Sequence, residues 1–531
     1  MIDFAVFEDR ALGLETAARN VAAACRNDAF GKGWRPKGLD EVAVVLESLG
    51  YSDEVVRELW YPSLFELARD VTRLLDKYVA DEDPAAARQP DWFVQSVRDY
   101  AVGALYSGPW IIAVVALIVC GAALWSSLAT PPRLATAIAL GTFASLILSG
   151  AFAQAIGRRV SSYFWQNDLR LVDWVLRRLL GAAACAFGLA AFAGWLALRG
   201  FYGDGAATVA VGFFLGSGAF QLALAPLYAL RRFGPIVAVA TFAAGLTGAT
   251  FVFAFHRAVA LPWEPAVLAA EIGAVGIATL AATLYWLRRA AQRRGGRALP
   301  PSLRALARAT LPYAAFGLLY FLAIVVDHIA AGLRDGFPYR YRAGYELGCD
   351  LALLCTVPIV GAINVAMEAL PRRILGSSRA RLETSGRVDA AMLRFFATAA
   401  LGVVAAGVLA VALSEWLGPL VLAAGGLGAG VDRAEALAVL RIAAPAYGLV
   451  MLGLLASQLL FFLSRPRAPL CGAALGAACN GLVGALVVLD RLPVVWCAFG
   501  LLAGAAAFAF VAVAAALQAA RDFTFAYYAA Y

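Results

Sequence analysis

The chain of 531 residues is 62% hydrophobic and only 15% charged. Ordinary soluble domains carry about 25% charged residues, so this composition excludes a purely soluble protein. Residues 1–108 hold 12 Lys and Arg against 19 Asp and Glu, whereas residues 109–531 hold 32 against 17. An acidic, water-exposed segment thus precedes a basic membrane segment, and the total charge of +8 is no evidence for nucleic acid.

The N-terminal segment is predicted to be a small helical domain. Leu64, Leu67 and Val71 repeat at the spacing of one helix face. Helices are predicted over 39–49, 53–60 and 63–79. Residues 81–90 have the composition of a linker, and the absence of an apolar run behind a basic start predicts no secretory signal. Residues 1–90 are therefore expected in the cytoplasm, either docking a partner or capping their own membrane domain.

Twelve apolar runs follow, each long enough for a helix that crosses the hydrocarbon core of a bilayer. They are residues 109–128, 134–156, 179–198, 206–230, 235–255, 266–287, 311–332, 347–370, 395–414, 442–463, 468–489 and 494–520. The runs leave no room for the alternating strands of a barrel. An all-α integral membrane protein with twelve transmembrane helices is predicted.

Positive charge alternates between the loops that join these runs. The loops 157–178, 231–234, 288–310, 371–394 and 464–467 together hold 22 Arg residues, and the loops on the other side hold far fewer. The positive-inside rule therefore predicts that these five loops and both termini are cytoplasmic.

The two halves of the membrane segment resemble each other. An Arg-Arg pair follows both the second and the eighth run, and a short Arg-containing loop before a proline follows both the fourth and the tenth. These matches occur in the same order and predict two six-helix halves as a parallel repeat, residues 91–310 and 311–531.

Several kinds of chemistry are disfavoured by the sequence. It has no GxxxxGK[ST] loop to bind nucleotide phosphates. The first predicted outer loop, from Thr130 to Arg133, has no acid to serve as a catalytic base. The eight cysteines form no CxxC pair and the chain has two histidines, which argues against disulfides or structural zinc. We therefore expect no enzyme activity, no cofactor and no metal.

Four acids lie inside the runs: Glu271, Asp327, Asp350 and Glu368. A charge in the bilayer costs a few kcal/mol, so such groups usually face a polar cavity or a partner. On one continuous helix, Asp350, Asn364 and Glu368 would share a face of the eighth span. That face either lines a polar path, or its two acids mark the helix ends at the membrane surface.

The seventh run carries Tyr313, Phe316, Tyr320 and Asp327 at the spacing of one helix face. Aromatic rings beside a carboxylate suit a sugar, whose C–H faces stack on rings while its polar groups bond to the acid. Plain packing of the rings is the alternative. His328, next to Asp327, could act as a titrating switch.

Glu271 lies among small residues of the sixth run, where helices can approach closely. It is expected either to take part in transport or to form an ion pair with Arg441, which lies one residue outside the tenth run.

Four short motifs carry a resemblance to a known family. They are Tyr106-Ser-Gly-Pro-Trp-Ile111 at the first run, Tyr320–His328 at the seventh, Tyr345-Glu346 with Asp350 and Pro358 at the eighth, and Arg521-Asp-Phe-Thr-Phe525 near the end. Over residues 109–531 the chain resembles the multidrug/oligosaccharidyl-lipid/polysaccharide (MOP) flippase superfamily, and within it the PelG-type exporters of the Pel exopolysaccharide. PelG-like chains generally begin close to the first span, whereas this chain carries its N-terminal segment in front.

The resemblance implies an inner-membrane flippase or exporter that moves a polysaccharide or lipid-linked glycan by alternating access. It also implies a cytoplasmic glycosyltransferase and other membrane subunits as partners. The acids would equally suit a cation-coupled drug or small-cation antiporter of the same fold, and a non-transporting scaffold of a polysaccharide synthase is a third interpretation. The residues predicted to line the substrate path or couple transport are Glu271, Tyr313, Tyr320, Asp327, His328, Asp350, Asn364, Glu368 and Arg441.

Overall fold

The structure is a computed structural model and is almost entirely helical. It describes residues 13–22, 38–49, 51, 53–58, 61–79, 92–106, 122–123, 126–127, 131–166, 168–256, 264–293, 300–380, 385–424 and 432–528. The chain divides into two compact units, Met1–Ser96 and Val97–Tyr531.

The first unit contains four described helices: α1 over 13–22, α2 Leu39–Ser48, α3 Asp53–Glu58 and α4 Leu64–Val79. The apolar faces of α1, α2 and α4 form one core, in which Val21, Leu46 and Leu67 are fully buried. The predicted helices are confirmed to within two residues. The predicted linker at 81–90 lies outside the described residues.

The second unit contains the long apolar helices. After α5, Trp92–Tyr106, they are α6 Pro132–Trp165, α7 Leu169–Tyr202, α8 Asp204–Ala229, α9 Phe233–His256, α10 Glu264–Arg293, α11 Leu303–Leu333, α12 Ala343–Leu353, α13 Thr356–Ala380, α14 Ser385–Ala424, α15 Arg433–Phe462, α16 Arg467–Leu489, α17 Trp496–Arg521 and α18 Phe523–Tyr528. Ten spans of this part of the chain are long and apolar enough to cross a membrane, with α12 and α13 counted as one.

Two of the twelve predicted spans differ from these ten. Most of the first, 109–128, lies outside the described residues, and Ala122–Ala123 (β1) and Ser126–Ser127 (β2) within it pair as short antiparallel strands. The helix expected there therefore does not include those four residues. The fifth predicted span is a described helix, α9, whose apolar part, Gly234–Thr250, is shorter than in the other ten.

The eighth predicted span is interrupted rather than continuous. Helix α12 ends at Leu353 and α13 begins at Thr356, and the amides of Leu354 and Cys355 bond to carbonyls three residues back. Pro358 explains the break, because it has no N–H and its ring would clash with the carbonyl of Leu354 in a regular helix. The expectation that Asp350, Asn364 and Glu368 share one face of a continuous helix is therefore wrong.

We use "first half" for helices α6–α10 and "second half" for α11–α18, after the division predicted from the sequence. In the first half, α8 is the central helix. It packs on α6, α7 and α10. A side chain at Gly141 of α6 would overlap the backbone of Ala210 on α8, so glycine permits this close approach.

In the second half, α12 packs against α15, while α11 contacts α16 and α15 contacts α17. Their buried residues form the largest apolar core of the described chain. The two halves meet where α6 crosses α11: a Cβ at Gly317 would overlap the carbonyl oxygen of Gly150. The close crossing of α6 and α11 therefore requires glycine at both positions.

Candidate functional site

A group of polar side chains lies buried inside the second half, and we call it the polar cluster. Its members are Asp327 and His328 on α11, Tyr345, Glu346, Cys349 and Asp350 on α12, and Asn480 on α16. None of the seven is more than 3% exposed. Glu346 and Asp350 are four residues apart and thus lie on one face of α12, which faces the adjacent pair on α11.

Asp327 is fully buried and its carboxylate accepts two hydrogen bonds. The hydroxyl of Tyr345 donates to Oδ2 at 2.7 Å, and the amide Nδ2 of Asn480 donates to Oδ1 at 3.2 Å. The same amide donates to the carbonyl of Ala323, one turn earlier on α11, at 2.8 Å. The carboxylate is thus fixed from two neighbouring helices, α12 and α16.

His328 is positioned between two carboxylates. Its Nδ1 lies 2.6 Å from Oε2 of Glu346, and its Nε2 lies 3.9 Å from Oδ2 of Asp327. The ring of Phe143, on α6 of the first half, packs against the imidazole with centroids 5.2 Å apart. The imidazole orientation is therefore fixed by Glu346 on one side and by aromatic packing on the other.

Four oxygens in or beside the polar cluster are buried and have no hydrogen-bond partner within the described part of the chain. They are Oε1 of Glu346, Oδ1 of Asn480, and the hydroxyls of Tyr339 and Tyr341, which lie in the segment between α11 and α12. Burial, followed by the nearby charge of Glu346, raises the pKa of both phenols well above the ordinary value, so they remain neutral hydroxyls. An unmet buried polar group costs about 1–3 kcal/mol, so these oxygens are suited to a bound polar species.

The aromatic residues predicted on α11 pack mainly against one another and against other rings. Phe316 is fully buried and contacts Phe461 and Tyr320 with centroids 4.9 and 5.8 Å away. A cavity of about 10 Å³ lined by Tyr320 and Phe508 could hold one water at most. In this conformation there is no room for a sugar at that position, so the sugar contact stays a prediction for an open state.

Tyr313 instead lies at a contact between the two halves. The guanidinium of Arg158, on α6, lies over its ring at 5.4 Å and donates a hydrogen bond of 2.7 Å to Ser464 after α15. Arg231, which follows α8, pairs with Glu368 on α13 at 2.8 Å. We call these the arginine contacts. They join the halves at the end that the charge count predicts to be cytoplasmic.

The opposite ends of the two halves are joined by a second set, the loop contacts. The hydroxyl of Tyr202 donates to the carbonyl of Tyr339 at 2.9 Å, and the amide of Tyr341 donates to Thr136 Oγ1 at 3.1 Å. Thr136 and Arg158 lie near opposite ends of α6, about 33 Å apart along its axis. The halves thus meet at both ends of the helix bundle in this conformation.

The other predicted residues lie in separate places. Asn364 donates to the carbonyl of Asp99 at 2.7 Å and so connects α13 with α5. Glu271 accepts a hydrogen bond of 2.5 Å from Thr250, and its other carboxylate oxygen is buried with no partner among the described residues. The ion pair expected between Glu271 and Arg441 is wrong, because Arg441 pairs with Glu415 on the neighbouring α14 at 3.1 Å.

Sequence reasoning missed four members of the polar cluster as site residues: Tyr345, Glu346, Cys349 and Asn480. The predicted span began at 347, although α12 begins at Ala343. The four-residue spacing of Glu346 and Asp350 was the signal that could have placed Glu346 beside the other acids.

The fold is that of transporters of the MOP superfamily. An outward-facing multidrug resistance MATE family transporter matches with a TM-score of 0.55 and 13% identity, over 80% of this chain and 96% of that chain. An inward-facing multidrug resistance MATE family transporter matches with a TM-score of 0.53 and 14% identity, over 80% of this chain and 95% of that chain. A MOP superfamily transporter from Pyrococcus furiosus matches with a TM-score of 0.55 and 12% identity, over 81% of this chain and 96% of that chain. At these identities the likeness shows the fold alone.

Residues 91–528 match the family model of PelG, described as "Putative exopolysaccharide Exporter (EPS-E)". The chain belongs to the PelG family, and the resemblance seen in its motifs is confirmed. It is a multi-pass membrane transporter of an exporter family. A search among curated proteins finds no match.

Proposed function

We propose that this protein exports a polysaccharide or lipid-linked glycan across the bacterial inner membrane by alternating access of its two halves. The observation that carries the proposal is the family match over residues 91–528, to exporters of exopolysaccharide. The two sets of contacts between the halves allow such a movement. When the arginine contacts separate, the path between the halves opens toward one side of the membrane, and when the loop contacts separate, it opens toward the other.

In this proposal the termini and the arginine contacts lie on the cytoplasmic side, and the glycan passes between the halves along the rings of Tyr313 and Tyr320. The polymer arrives from a cytoplasmic glycosyltransferase that works with other membrane subunits, and the acidic first unit provides a docking site for a cytoplasmic partner. Asp327 and Asp350 supply the negative charge that transport requires in the second half.

Removing that charge should reduce export. Asp327→Asn and Asp350→Asn keep nearly the same shape but abolish the carboxylate, so we expect strongly reduced polymer secretion with unchanged protein in the membrane. Secreted polysaccharide and membrane abundance are measured side by side. Glu415→Gln, at an exposed ion pair of α14, is the matched control and should secrete normally.

Full secretion from both Asp→Asn variants would refute the role of these carboxylates. A gene deletion that leaves secretion intact but raises drug susceptibility would refute polymer export and favour a cation-coupled drug antiporter, in line with the multidrug resistance named for the MATE neighbour.

A further inference from the structure

The polar cluster contains donors of three different kinds that converge from two helices. One donor atom of each of Asp327, His328 and Cys349 lies within 4.8 Å of the other two. All three residues are buried, at 0%, 3% and 1% exposure. The spacing of the cysteines along the chain gave no hint of this convergence, because only one of the three ligands is a cysteine and the other two belong to α11.

We propose that Asp327, His328 and Cys349 bind one divalent transition-metal ion of the Zn²⁺ class. A carboxylate oxygen, an imidazole nitrogen and a thiolate sulfur together select Zn²⁺ and related ions, whereas Ca²⁺ and Mg²⁺ take oxygen ligands. The assignment concerns the ion alone and is independent of what the protein exports.

The donor atoms of Asp327 and His328 are spaced suitably for such an ion. Nδ1 of His328 is engaged by Glu346, which leaves Nε2, 3.9 Å from Oδ2 of Asp327, as the coordinating nitrogen. A zinc ion lies about 2.0–2.2 Å from nitrogen and oxygen ligands, so it can bridge atoms up to about 4.2 Å apart. Bringing these two atoms to a tetrahedral separation of about 3.4 Å requires a movement of about half an ångström.

The surroundings of the three donors match those of a metal site. Metal-binding histidines commonly donate their second N–H to a carboxylate, and Glu346 occupies that position at 2.6 Å. Tyr345 and Asn480 fix the carboxylate of Asp327 in the same way. The negative charges of Asp327, Glu346 and Asp350 would be offset by a doubly charged ion, which reduces the cost of burying them.

The test is direct metal binding by the purified full-length protein in detergent, with Zn²⁺ as the probe. We expect one Zn²⁺ per chain after dialysis, measured by elemental analysis. Cys349→Ser should weaken binding more than about 100-fold, and Glu346→Gln, which removes a positioning group, about 10–100-fold. Cys355→Ser is the matched control: Cys355 is also buried, but its sulfur contacts the carbonyl of Ala410, and the variant should bind as the wild type does.

Co²⁺ substitution gives an independent readout, because a thiolate ligand produces a cobalt–sulfur absorption band. The band should appear in the wild type and in Cys355→Ser and be absent from Cys349→Ser. A wild-type protein that retains no stoichiometric Zn²⁺, or a Cys349→Ser variant that binds Zn²⁺ as tightly as the wild type, would overturn the proposal. Polysaccharide secretion is not part of this test, so its result stands apart from the export proposal.

Discussion

At the scale of single residues, Asn480 is the side chain that joins the polar cluster to α16. Its amide donates both to the carbonyl of Ala323 and to Asp327, which is fully buried. Asn480→Ala removes a donor from a buried carboxylate, so we expect the folded state to lose about 1–3 kcal/mol. Thermal unfolding followed by tryptophan fluorescence in detergent measures this loss.

The control for this substitution is Thr398→Ala, because Thr398 is exposed on α14 and its hydroxyl bonds only within its own helix. The free energy of unfolding of that variant should lie within about 0.5 kcal/mol of the wild-type value. Equal stability of Asn480→Ala and the wild type would show that Asp327 does not depend on this donor.

The sequence could predict single site residues but not their partners. Asp327 and His328 were recognisable because an ionisable group inside an apolar run is costly to bury and therefore indicates a functional or structural role. Their partner Glu346 was not, since the apolar run begins one residue after it. The pairing of Arg441 with Glu415 depends on how α14 and α15 pack, and nothing in the local sequence of either residue encodes that.

At the scale of helices, the crossing of α6 and α11 depends on two glycines. Gly317→Ala would place a methyl group against the backbone of Gly150, which cannot yield as a flexible side chain could. We expect a loss of about 1–3 kcal/mol from overpacking, with a lower midpoint of thermal unfolding.

Gly188→Ala provides the comparison, because a Cβ at Gly188 of α7 meets nothing within 4 Å. Alanine favours a helix over glycine by about 0.5–1 kcal/mol, so this variant should be as stable as the wild type or slightly more so. If Gly317→Ala behaves like Gly188→Ala, the close crossing of the two helices is not required.

Helix positions were largely predictable, whereas the break in the eighth span was not recognised. Apolar runs located α7, α15, α16 and α17 because a bilayer demands about 20 consecutive apolar residues. The run at 347–370 is equally apolar throughout, so hydropathy alone reads it as one helix. Pro358 is the residue in the sequence that indicates the break, because a proline disrupts the backbone hydrogen bonds of a regular helix.

At the scale of the whole molecule, the ion pair between Arg231 and Glu368 connects the two halves across 137 positions of the chain. Both side chains are partly exposed, at 43% and 25%, so the pair contributes little to folding. Reversing one charge should hold that end of the bundle apart. We expect Arg231→Glu and Glu368→Arg each to reduce export by up to about fivefold, which corresponds to about 1 kcal/mol.

The double variant with exchanged charges should recover most of the export rate, because opposite charges face each other again. Secretion normalised to membrane abundance gives the four corners of a double-mutant cycle. Strictly additive losses in the double variant would show that the two residues do not act through each other.

The two-residue turn at Leu354 and Cys355 has a mechanical consequence. It divides the eighth span into two rigid rods, of which α12 carries Glu346, Cys349 and Asp350 while α13 carries Glu368. A continuous helix would transmit every tilt of one end to the other. Because a hinge separates the two helices, we expect α13 to swing as the halves part while α12 stays fixed against α15. One span can then carry both the ion-binding residues of α12 and the moving contact made by Glu368 on α13, and neither disturbs the other.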